Sequence, residues 1–368
     1  MPGQIVLFGA TGYTGRLAAA ALVRRGVRPV LAARSEGPLR ELAAELGGLE
    51  TRVADVSRPE TVRALVAGGD VLLTTVGPFA RFGGPAVRAA VEAGCAYVDS
   101  TGEPAFIRQV FQRWGPEAER TGAALVTAFG YDWVPGNLAG GMALEEAGDA
   151  AVRLDIGYFI VGDVDLGKAG SGGTRASTVG ATLEPSHTFA EGAVRLERAA
   201  ARVRAFDVRG RERSGISVGS SEALALPRLS ASLRDVDVYL GWFGPYSRAM
   251  QAMSAGTAAL IRVPGVKPAL ERVSARLVSG SNGGPDREVR ARSRSHFVAV
   301  ASDAAGRPLS TVHLEGPNHY DLTADLLAWG AERALEGHLS GSGALGPVDG
   351  FGLDALRAGC AEAGLTRV

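Results

Sequence analysis

A glycine-spaced turn near the amino terminus constrains the fold of this chain more than any other stretch. The apolar run at residues 5–8 leads into Gly-Ala-Thr-Gly-Tyr-Thr-Gly at residues 9–15, and helix-prone residues follow. This order predicts a strand, a tight turn and a helix. Glycine tolerates positive φ and leaves no side chain between the backbone and a ligand. The N–H groups that open the helix have no intrahelical acceptor and lie at the positive end of its dipole, so we expect them to bind a diphosphate.

The residues after the second predicted strand indicate which dinucleotide would bind. The glycine spacing is G-x-x-G-x-x-G instead of the standard G-x-G-x-x-G, so the surrounding sequence must support the assignment. Arg34 follows the apolar residues 30–33 and lies 22 residues after Gly12 (34 − 12), where an NAD-binding domain places Asp or Glu. Arg34 and Ser35 stand there instead, and a guanidinium pairs with a phosphate through two parallel hydrogen bonds. The sequence therefore predicts NADP, and a solvated loop charge is the alternative role for Arg34.

Five segments carry a family resemblance, at residues 8–15, 76–79, 97–103, 130–135 and 171–174. They resemble the saccharopine dehydrogenase-like oxidoreductases, in particular the branch that includes the trans-acting enoyl reductases of bacterial lipid biosynthesis. The resemblance implies an NADP-binding domain followed by a second α+β domain, and a reductase activity. It leaves the substrate open.

The order of predicted elements indicates two domains. Strands and helices alternate with short connections up to residue 148, which predicts a doubly wound parallel sheet of the Rossmann type. From residue 152 apolar and polar residues alternate, as in an antiparallel sheet with one solvated face. We predict an α/β protein with an NADP-binding Rossmann domain at 1–148 and a substrate-binding α+β domain with a mostly antiparallel sheet at 149–318. The resemblance implies that C-terminal helices at 319–368 return to the nucleotide domain.

Further cofactor contacts are expected at the carboxyl ends of the parallel strands, which face the ligand crevice of such a sheet. Asp55 could accept a hydrogen bond from the adenine amino group, although an aspartate is equally expected at a turn. Gly77 would let the backbone approach the cofactor ribose while Pro78 ends the strand, and a plain strand-stopping turn is the alternative. The candidate cofactor-binding residues are Gly9, Ala10, Thr11, Gly12, Tyr13, Thr14, Gly15, Arg34, Ser35, Asp55, Val76, Gly77 and Pro78.

The loop after the sixth predicted strand, residues 129–137, is the candidate wall for the chemistry. It combines aromatic side chains, a carboxylate and a proline at the end of the sheet where the nicotinamide is expected. Tyr131 and Asp132 are the candidate catalytic residues: the Tyr131 phenol could donate a proton, whereas Asp132 is expected to orient the loop by accepting from backbone N–H groups. His319 and Tyr320 are further candidate proton donors, for which helix capping or packing is the ordinary alternative.

Composition bears on whether the protein binds nucleic acid, spans a membrane or holds a metal. Lys plus Arg equals Asp plus Glu at 39 each, so we expect no nucleic-acid partner. No run of about 18 apolar residues occurs, so we expect no transmembrane segment. The two cysteines support neither a disulfide framework nor a zinc site, and we predict no metal. The first strand begins at Ile5, which leaves no room for a signal peptide, and we expect a cytoplasmic protein.

These features together predict an NADPH-dependent reductase. The expected substrate is an apolar or thioester-linked small molecule, with a carrier protein among the expected partners, and the favoured reaction is reduction of an activated C=C (enoyl) bond. Reduction of C=N or C=O in a small metabolite is one alternative, and a non-catalytic NADPH sensor or scaffold subunit is another. The apolar stripe at residues 245–262 is typical of a core or a subunit interface, so a homodimer is a further expectation.

Overall fold

The computed structural model describes residues 3–162, 184–260 and 283–368. The strands within these ranges are β1 (Ile5–Phe8), β2 (Val30–Ala33), β3 (Thr51–Val53), β4 (Val71–Thr74), β5 (Ala96–Asp99), β6 (Ala124–Val126), β7 (Arg153–Gly162), β8 (Ser186–Ala190), β9 (Ala193–Glu197), β10 (Val203–Val208), β11 (Arg211–Val218), β12 (Asp235–Leu240), β13 (Ser293–Ser302), β14 (Pro308–Gly316), β15 (Gly343–Ala344) and β16 (Thr366–Arg367). The α-helices within them are α1 (Tyr13–Arg24), α2 (Glu36–Glu45), α3 (Pro59–Arg63), α4 (Phe79–Phe82), α5 (Gly84–Ala93), α6 (Pro104–Gln109), α7 (Gly115–Thr121), α8 (Val134–Ala147), α9 (Glu222–Ala225), α10 (Ser247–Leu260), α11 (Arg287–Ala291), α12 (His319–Leu335), α13 (Pro347–Phe351) and α14 (Leu353–Glu362). The segment 171–174, which contributed to the family resemblance, lies outside the described residues.

The chain divides into two compact units. One comprises residues 1–102, 106–134 and 319–363, and the other comprises residues 103–105, 135–318 and 364–368. Within the described ranges, no helix has both the length and the apolar composition needed to span a bilayer.

A parallel sheet forms the first unit. Its strand order is β15-β6-β5-β4-β1-β2-β3, and every neighbouring pair runs parallel. Apart from the short β15, this is the order of the dinucleotide-binding fold, in which the chain direction across the sheet reverses beside β1. β1, β2 and β4 are buried along their whole lengths, which explains why each is a continuous apolar run without a polar face. The predicted Rossmann-type sheet is confirmed.

Helix α12 belongs to this first unit although strands β7 to β14, which precede it in sequence, belong to the second sheet. Arg24 of α1 donates to Asp325 of α12 at 2.7 Å, and Arg25 donates to Glu332 of α12 at 2.5 Å. These contacts hold the helix that begins at His319 against the helix that begins in the glycine turn.

The second unit contains a mostly antiparallel sheet, as predicted. Its order is β10-β11-β12-β7-β13-β14-β16, with β8 pairing with β12 and with β9, and within the described residues only the β12–β7 pair is parallel. One buried cluster on this sheet contains Phe159, Val161, Phe206, Val208, Tyr239 and Val298. Arg153 reaches both Asp155 and Asp237 at 2.8 and 2.6 Å, so these two buried carboxylates are ion-paired.

The division between the units falls inside the sequence predicted to form the nucleotide domain. Most of α8 groups with the second unit, because its glycines pack closely against β7. A Cβ on Gly136 would lie 2.3 Å from the hydroxyl oxygen of Tyr158, and one on Gly140 would lie 3.1 Å from Ile156 Cδ1. The observed division falls between residues 134 and 135, at the amino terminus of α8. The boundary that the sequence predicted, between residues 148 and 149, lies just beyond the carboxyl terminus of this helix.

Candidate functional site

The glycine turn connects β1 to α1, and its first glycine is required by packing. Gly9 has φ of +95°, and its N–H donates to Ala32 O at 2.8 Å across the β1–β2 pair. A Cβ on Gly9 would lie 2.8 Å from Thr75 Oγ1 and 2.9 Å from Val76 Cγ2. Both the dihedral angle and the available space therefore demand glycine at the point where the chain leaves β1.

The third glycine is required by the approach of α1 to the turn. A Cβ on Gly15 would lie 2.1 Å from Gly9 O and 2.9 Å from Ala10 Cα. Gly15 is buried, and Ala10 beside it is also buried. Any larger residue at position 15 would push the helix away from the strand.

The second glycine is different, because the protein leaves space beside it. Gly12 is exposed, its N–H donates to Gly9 O at 3.0 Å, and the nearest atom to a Cβ added at this position would be that same oxygen at 3.3 Å. Packing against other side chains thus gives little reason for a glycine here. A bare Cα that faces outward is what close approach of a diphosphate requires.

The amino terminus of α1 has the electrostatic character of an anion site. Gly12 is the N-cap residue and has no side chain that could accept from the first N–H groups of the helix. No acidic residue occupies the first turn, so no side-chain charge offsets the positive end of the helix dipole. Thr11, Tyr13 and Thr14 surround this terminus and are each partly exposed. The site therefore fits the diphosphate of a dinucleotide.

Arg34 follows β2, on the side of β1 where the ribose of the adenosine would lie. It is exposed, and among the residues that the structure describes its guanidinium has no hydrogen bond or ion pair. Ser35, the N-cap residue of α2, is also exposed, and its side chain makes no capping hydrogen bond. Both side chains are thus available to a phosphate group.

Asp55 lies beside Arg34, because Ala54 N donates to Ala33 O at 3.1 Å and aligns the ends of β2 and β3. Its Oδ1 accepts from Ser57 N and Ser57 Oγ, each at 2.8 Å, which is the turn role that was the alternative to adenine binding. These hydrogen bonds lower the pKa of Asp55, and the positive charges of Arg34 and Arg58 lower it further. Arg58 was not singled out from the sequence, although it follows the candidate carboxylate by three residues.

Residues 76–78 lie at the neighbouring strand end, on the other side of β1. β4 ends at Thr74, and the following Thr75 Oγ1 turns towards the glycine loop and donates to Gly9 O at 3.2 Å. Gly77 is exposed, and Pro78 is the N-cap residue of α4. The structure thus brings residues 76–78 and the glycine turn to one edge of the sheet.

Asp99 organises the loop after β6, a role that no sequence pattern identified. It ends β5 and is fully buried. Its Oδ1 accepts from Thr101 N and Ala128 N, each at 2.9 Å, and its Oδ2 accepts from Thr127 Oγ1 at 2.7 Å. Burial raises the pKa of Asp99, and these hydrogen bonds oppose the increase. Its position at the end of an apolar strand was the available signal.

Within the described ranges, Asp132 makes none of the loop-orienting hydrogen bonds that were expected of it, and Asp99 holds the loop instead. Its Oδ1 is buried and has no hydrogen-bond partner in the part of the chain that the structure describes. Its Oδ2 lies only 2.5 Å from the position that a Cβ on Gly102 would take. The residue as a whole is half-buried, and burial of the carboxyl raises its pKa to about 7. The peptide bond between Asp132 and Trp133 is cis.

An aromatic cluster connects this loop with the glycine turn. The rings of Tyr131 and His319 lie 5.7 Å apart, those of His319 and Tyr320 lie 4.2 Å apart, and those of Tyr320 and Tyr13 lie 4.9 Å apart. Thr323 Oγ1 accepts from Tyr131 N at 3.0 Å and donates to His319 O at 2.7 Å. The start of α12 therefore lies between the turn and the candidate catalytic loop.

Comparison with protein families agrees with this geometry. Residues 5–128 match the family described as the saccharopine dehydrogenase NADP-binding domain. This match spans the strands from β1 to β6 and covers about a third of the chain. The predicted family and the predicted cofactor type are confirmed for these residues, which include the glycine turn, Arg34 and Asp99.

Sequence relatives match part of this chain. A trans-acting enoyl reductase from Mycobacterium ulcerans is 41% identical over 141 residues, which cover 37% of this chain and 34% of that protein. A trans-acting enoyl reductase from Mycobacterium tuberculosis has the same identity and the same coverage. The chain therefore matches about a third of the length of these relatives, and the predicted branch of the family is confirmed on that stretch.

One solved structure is similar along the whole chain. It is an apo saccharopine dehydrogenase (L-Glu forming) from Saccharomyces cerevisiae, with a TM-score of 0.60 and 13% identity, covering 100% of this chain and 99% of that one. At this identity the similarity establishes the fold, and it agrees with the NADP-binding domain followed by a second sheet.

Proposed function

We propose that this protein is an NADPH-dependent oxidoreductase that reduces the activated C=C bond of an apolar or carrier-linked acyl thioester. The observation that carries the proposal is the turn at residues 9–15, where Gly12 offers bare backbone beside an uncapped helix terminus. Gly9 and Gly15 are needed for packing, whereas Gly12 has its main use towards a ligand.

Bound NADPH would supply the hydride for this reduction. Different residues at the carboxyl ends of the parallel strands would bind different groups of the cofactor. The terminus of α1 would hold the diphosphate, Arg34 and Ser35 would hold the 2′-phosphate, and residues 76–78 would lie along the nicotinamide ribose. With strands about 4.8 Å apart, β6 lies about 14 Å from β1 on the side opposite β2. The loop after β6 is therefore on the nicotinamide side.

The surroundings of Asp132 support hydride chemistry. Phe129, Tyr131 and Trp133, which lie within three residues of it in the chain, are buried. An apolar wall excludes water and strengthens electrostatic interactions with a charge that develops in the substrate. Tyr131 belongs to this wall, and its ring is oriented by its contact with His319.

The enoyl substrate is supported by the sequence relatives, which are named trans-acting enoyl reductases. A reductase that acts in trans on an acyl chain receives its substrate from another protein. We therefore extend the proposal to a thioester borne by a carrier, and a short pantetheine thioester would serve as its soluble substitute.

Single-turnover kinetics tests the proposal. Purified protein is mixed with a slight deficit of NADPH and with crotonyl-pantetheine, a cyclic imine or a simple ketone, and NADPH absorbance is followed. We expect consumption with the enoyl thioester, and a saturated thioester of the same length is the matched control. Consumption with only the imine or the ketone would favour the alternative reductases. Tight binding of NADPH with no consumption in any mixture would favour a sensor or scaffold.

A further inference from the structure

We propose that the Asp132 carboxyl is the proton donor of this reaction, delivering to the substrate the proton that accompanies the hydride. The inference rests on the proposed function and adds the identity of the acid. It replaces the loop-orienting role that the sequence suggested for Asp132.

The first support is the unsatisfied oxygen. Buried polar atoms are nearly always hydrogen-bonded, because an unpaired one forfeits its interaction with water without replacement. Asp132 Oδ1 is such an atom among the described residues. Within the described part of the protein, then, no hydrogen bond compensates a negative charge on this oxygen.

The second support is the way the fold makes room for the carboxyl. Gly102 lies against Asp132 Oδ2, and a Cβ there would come within 2.5 Å of that oxygen. The loop that carries Asp132 is held independently, through Asp99 to Ala128 and through Thr323 to Tyr131. The surroundings therefore position the Asp132 carboxyl, and other groups hold the loop that carries it.

The third support is the contrast with Asp99, in the same unit. Both carboxyls are buried, but Asp99 accepts three hydrogen bonds, from Thr101, Ala128 and Thr127. The oxygens of Asp99 are therefore used to hold the loop. Asp132 Oδ1 accepts no hydrogen bond from the described residues.

The electrostatic surroundings agree with a carboxyl that holds a proton near neutrality. Titratable side chains in this region of the first unit include Asp99, Tyr131 and His319. Burial is the cause of the raised pKa of Asp132, at about 7. A pKa close to the working pH suits a general acid, because the group can both donate a proton and recover it.

Hydride and proton add to opposite ends of the substrate double bond. The β-carbon of the enoyl thioester accepts a hydride with its electron pair, and the C=C electron pair moves to the α-carbon and the thioester oxygen as an enolate. The O–H bond of Asp132 breaks, its proton forms the α C–H bond with the enolate electron pair, and Asp132 is left as a carboxylate. Water then returns a proton to Asp132 through the half-exposed side of the residue.

Infrared titration tests the protonation state without any turnover. Difference spectra between wild type and Asp132→Asn, both saturated with NADP⁺, are recorded from about pH 5 to about pH 9. We expect the carbonyl band of a protonated carboxylic acid in the wild type, disappearing around neutral pH. Asp149→Asn, which removes an exposed carboxyl, is the control and should leave this band in place.

The pH dependence of turnover with crotonyl-pantetheine tests the role in the reaction. We expect wild-type kcat to fall about tenfold per pH unit above the Asp132 pKa. Asp132→Asn should lower kcat by about 10²–10⁴-fold and remove this limb while NADPH affinity is kept. Tyr131→Phe should retain the limb, because the phenol is not the acid.

Each outcome decides between the two proposals. A carboxyl that is already ionised at about pH 5, or an Asp132→Asn variant with wild-type kcat and the wild-type limb, would overturn the acid while leaving the reductase function standing. If Asp132→Asn does not fold, Asp132→Glu and the wild-type infrared titration carry the test. Absence of reduction of any acceptor by wild type would overturn both proposals.

Discussion

Asp99 Oδ1 and the N–H of Ala128 lie 2.9 Å apart, and this hydrogen bond joins the end of β5 to the loop that follows β6. Ala128 has φ of +61°, which side chains with a Cβ adopt only rarely. The same carboxylate accepts from Thr101 N and Thr127 Oγ1. The buried Asp99 carboxylate thus fixes the path of the loop. Asp132, four residues after Ala128, is left available for chemistry.

We expect Asp99→Ala to destabilise the first unit strongly. The change leaves three buried donors without an acceptor, and each such loss costs about 1–3 kcal/mol. Asp99→Asn keeps one acceptor oxygen and should be milder. Denaturant unfolding of both variants measures the difference. A free energy of unfolding within about 0.5 kcal/mol of wild type for Asp99→Ala would show that the loop does not depend on this carboxylate.

Gly12→Ala and Gly15→Ala form a matched pair that separates ligand binding from folding. The added Cβ at position 12 meets only Gly9 O, at 3.3 Å, whereas at position 15 it would come within 2.1 Å of the same oxygen. We expect Gly12→Ala to keep a near wild-type melting temperature and to weaken NADPH binding about tenfold or more. Gly15→Ala should lose about 1–3 kcal/mol of stability. Calorimetric titration and thermal unfolding distinguish the two, and equal effects of both changes on both readouts would contradict our account of the turn.

Arg34→Ala should reduce affinity for NADPH far more than for NADH. A charge-assisted hydrogen bond contributes about 1.5–3 kcal/mol, which corresponds to roughly a tenfold to hundredfold increase in Kd. Arg40→Ala is the control, since it removes the same charge from nearby α2, where Arg40 pairs with Glu36. Fluorescence titration with both cofactors measures the selectivity. An equal loss for NADPH and NADH would mean that the 2′-phosphate is bound elsewhere.

Asp132→Asn should stabilise the protein at high pH. Because the folded-state pKa of Asp132 is raised to about 7, the wild-type residue contributes no penalty below the unfolded pKa near about 3.9, and stability is lost as the pH rises from there through the folded pKa. Above about pH 7 the asparagine variant, which cannot ionise, should be more stable than wild type by about 2–4 kcal/mol. Urea unfolding at several pH values measures this gap, which should close at low pH. A gap that does not change with pH would rule out the raised pKa.

Much of the nucleotide site follows from local sequence. The run at residues 5–8, the glycines at 9, 12 and 15 and the arginine at 34 are separated by fixed lengths of strand, turn and helix. Local patterns of this kind determine which elements form, and the parallel order of such elements is restricted by the handedness of their crossovers. The Rossmann-type sheet and the NADP-binding domain were therefore predictable.

The contacts that complete the site were decided by the tertiary structure. Asp99 meets Ala128 across a separation of 29 residues, and His319 meets Tyr131 although strands β7 to β14 of the second sheet lie between them in the chain. Among the described residues, Asp99 holds the loop and Asp132 keeps an unpaired oxygen, which the positions of the two carboxylates in the sequence did not indicate. The sequence alone determined the strand, turn and helix that can bind a dinucleotide, because backbone preferences act locally. Only the tertiary structure decided which carboxylate holds the loop, because burial and hydrogen-bond partners come from residues distant in the chain.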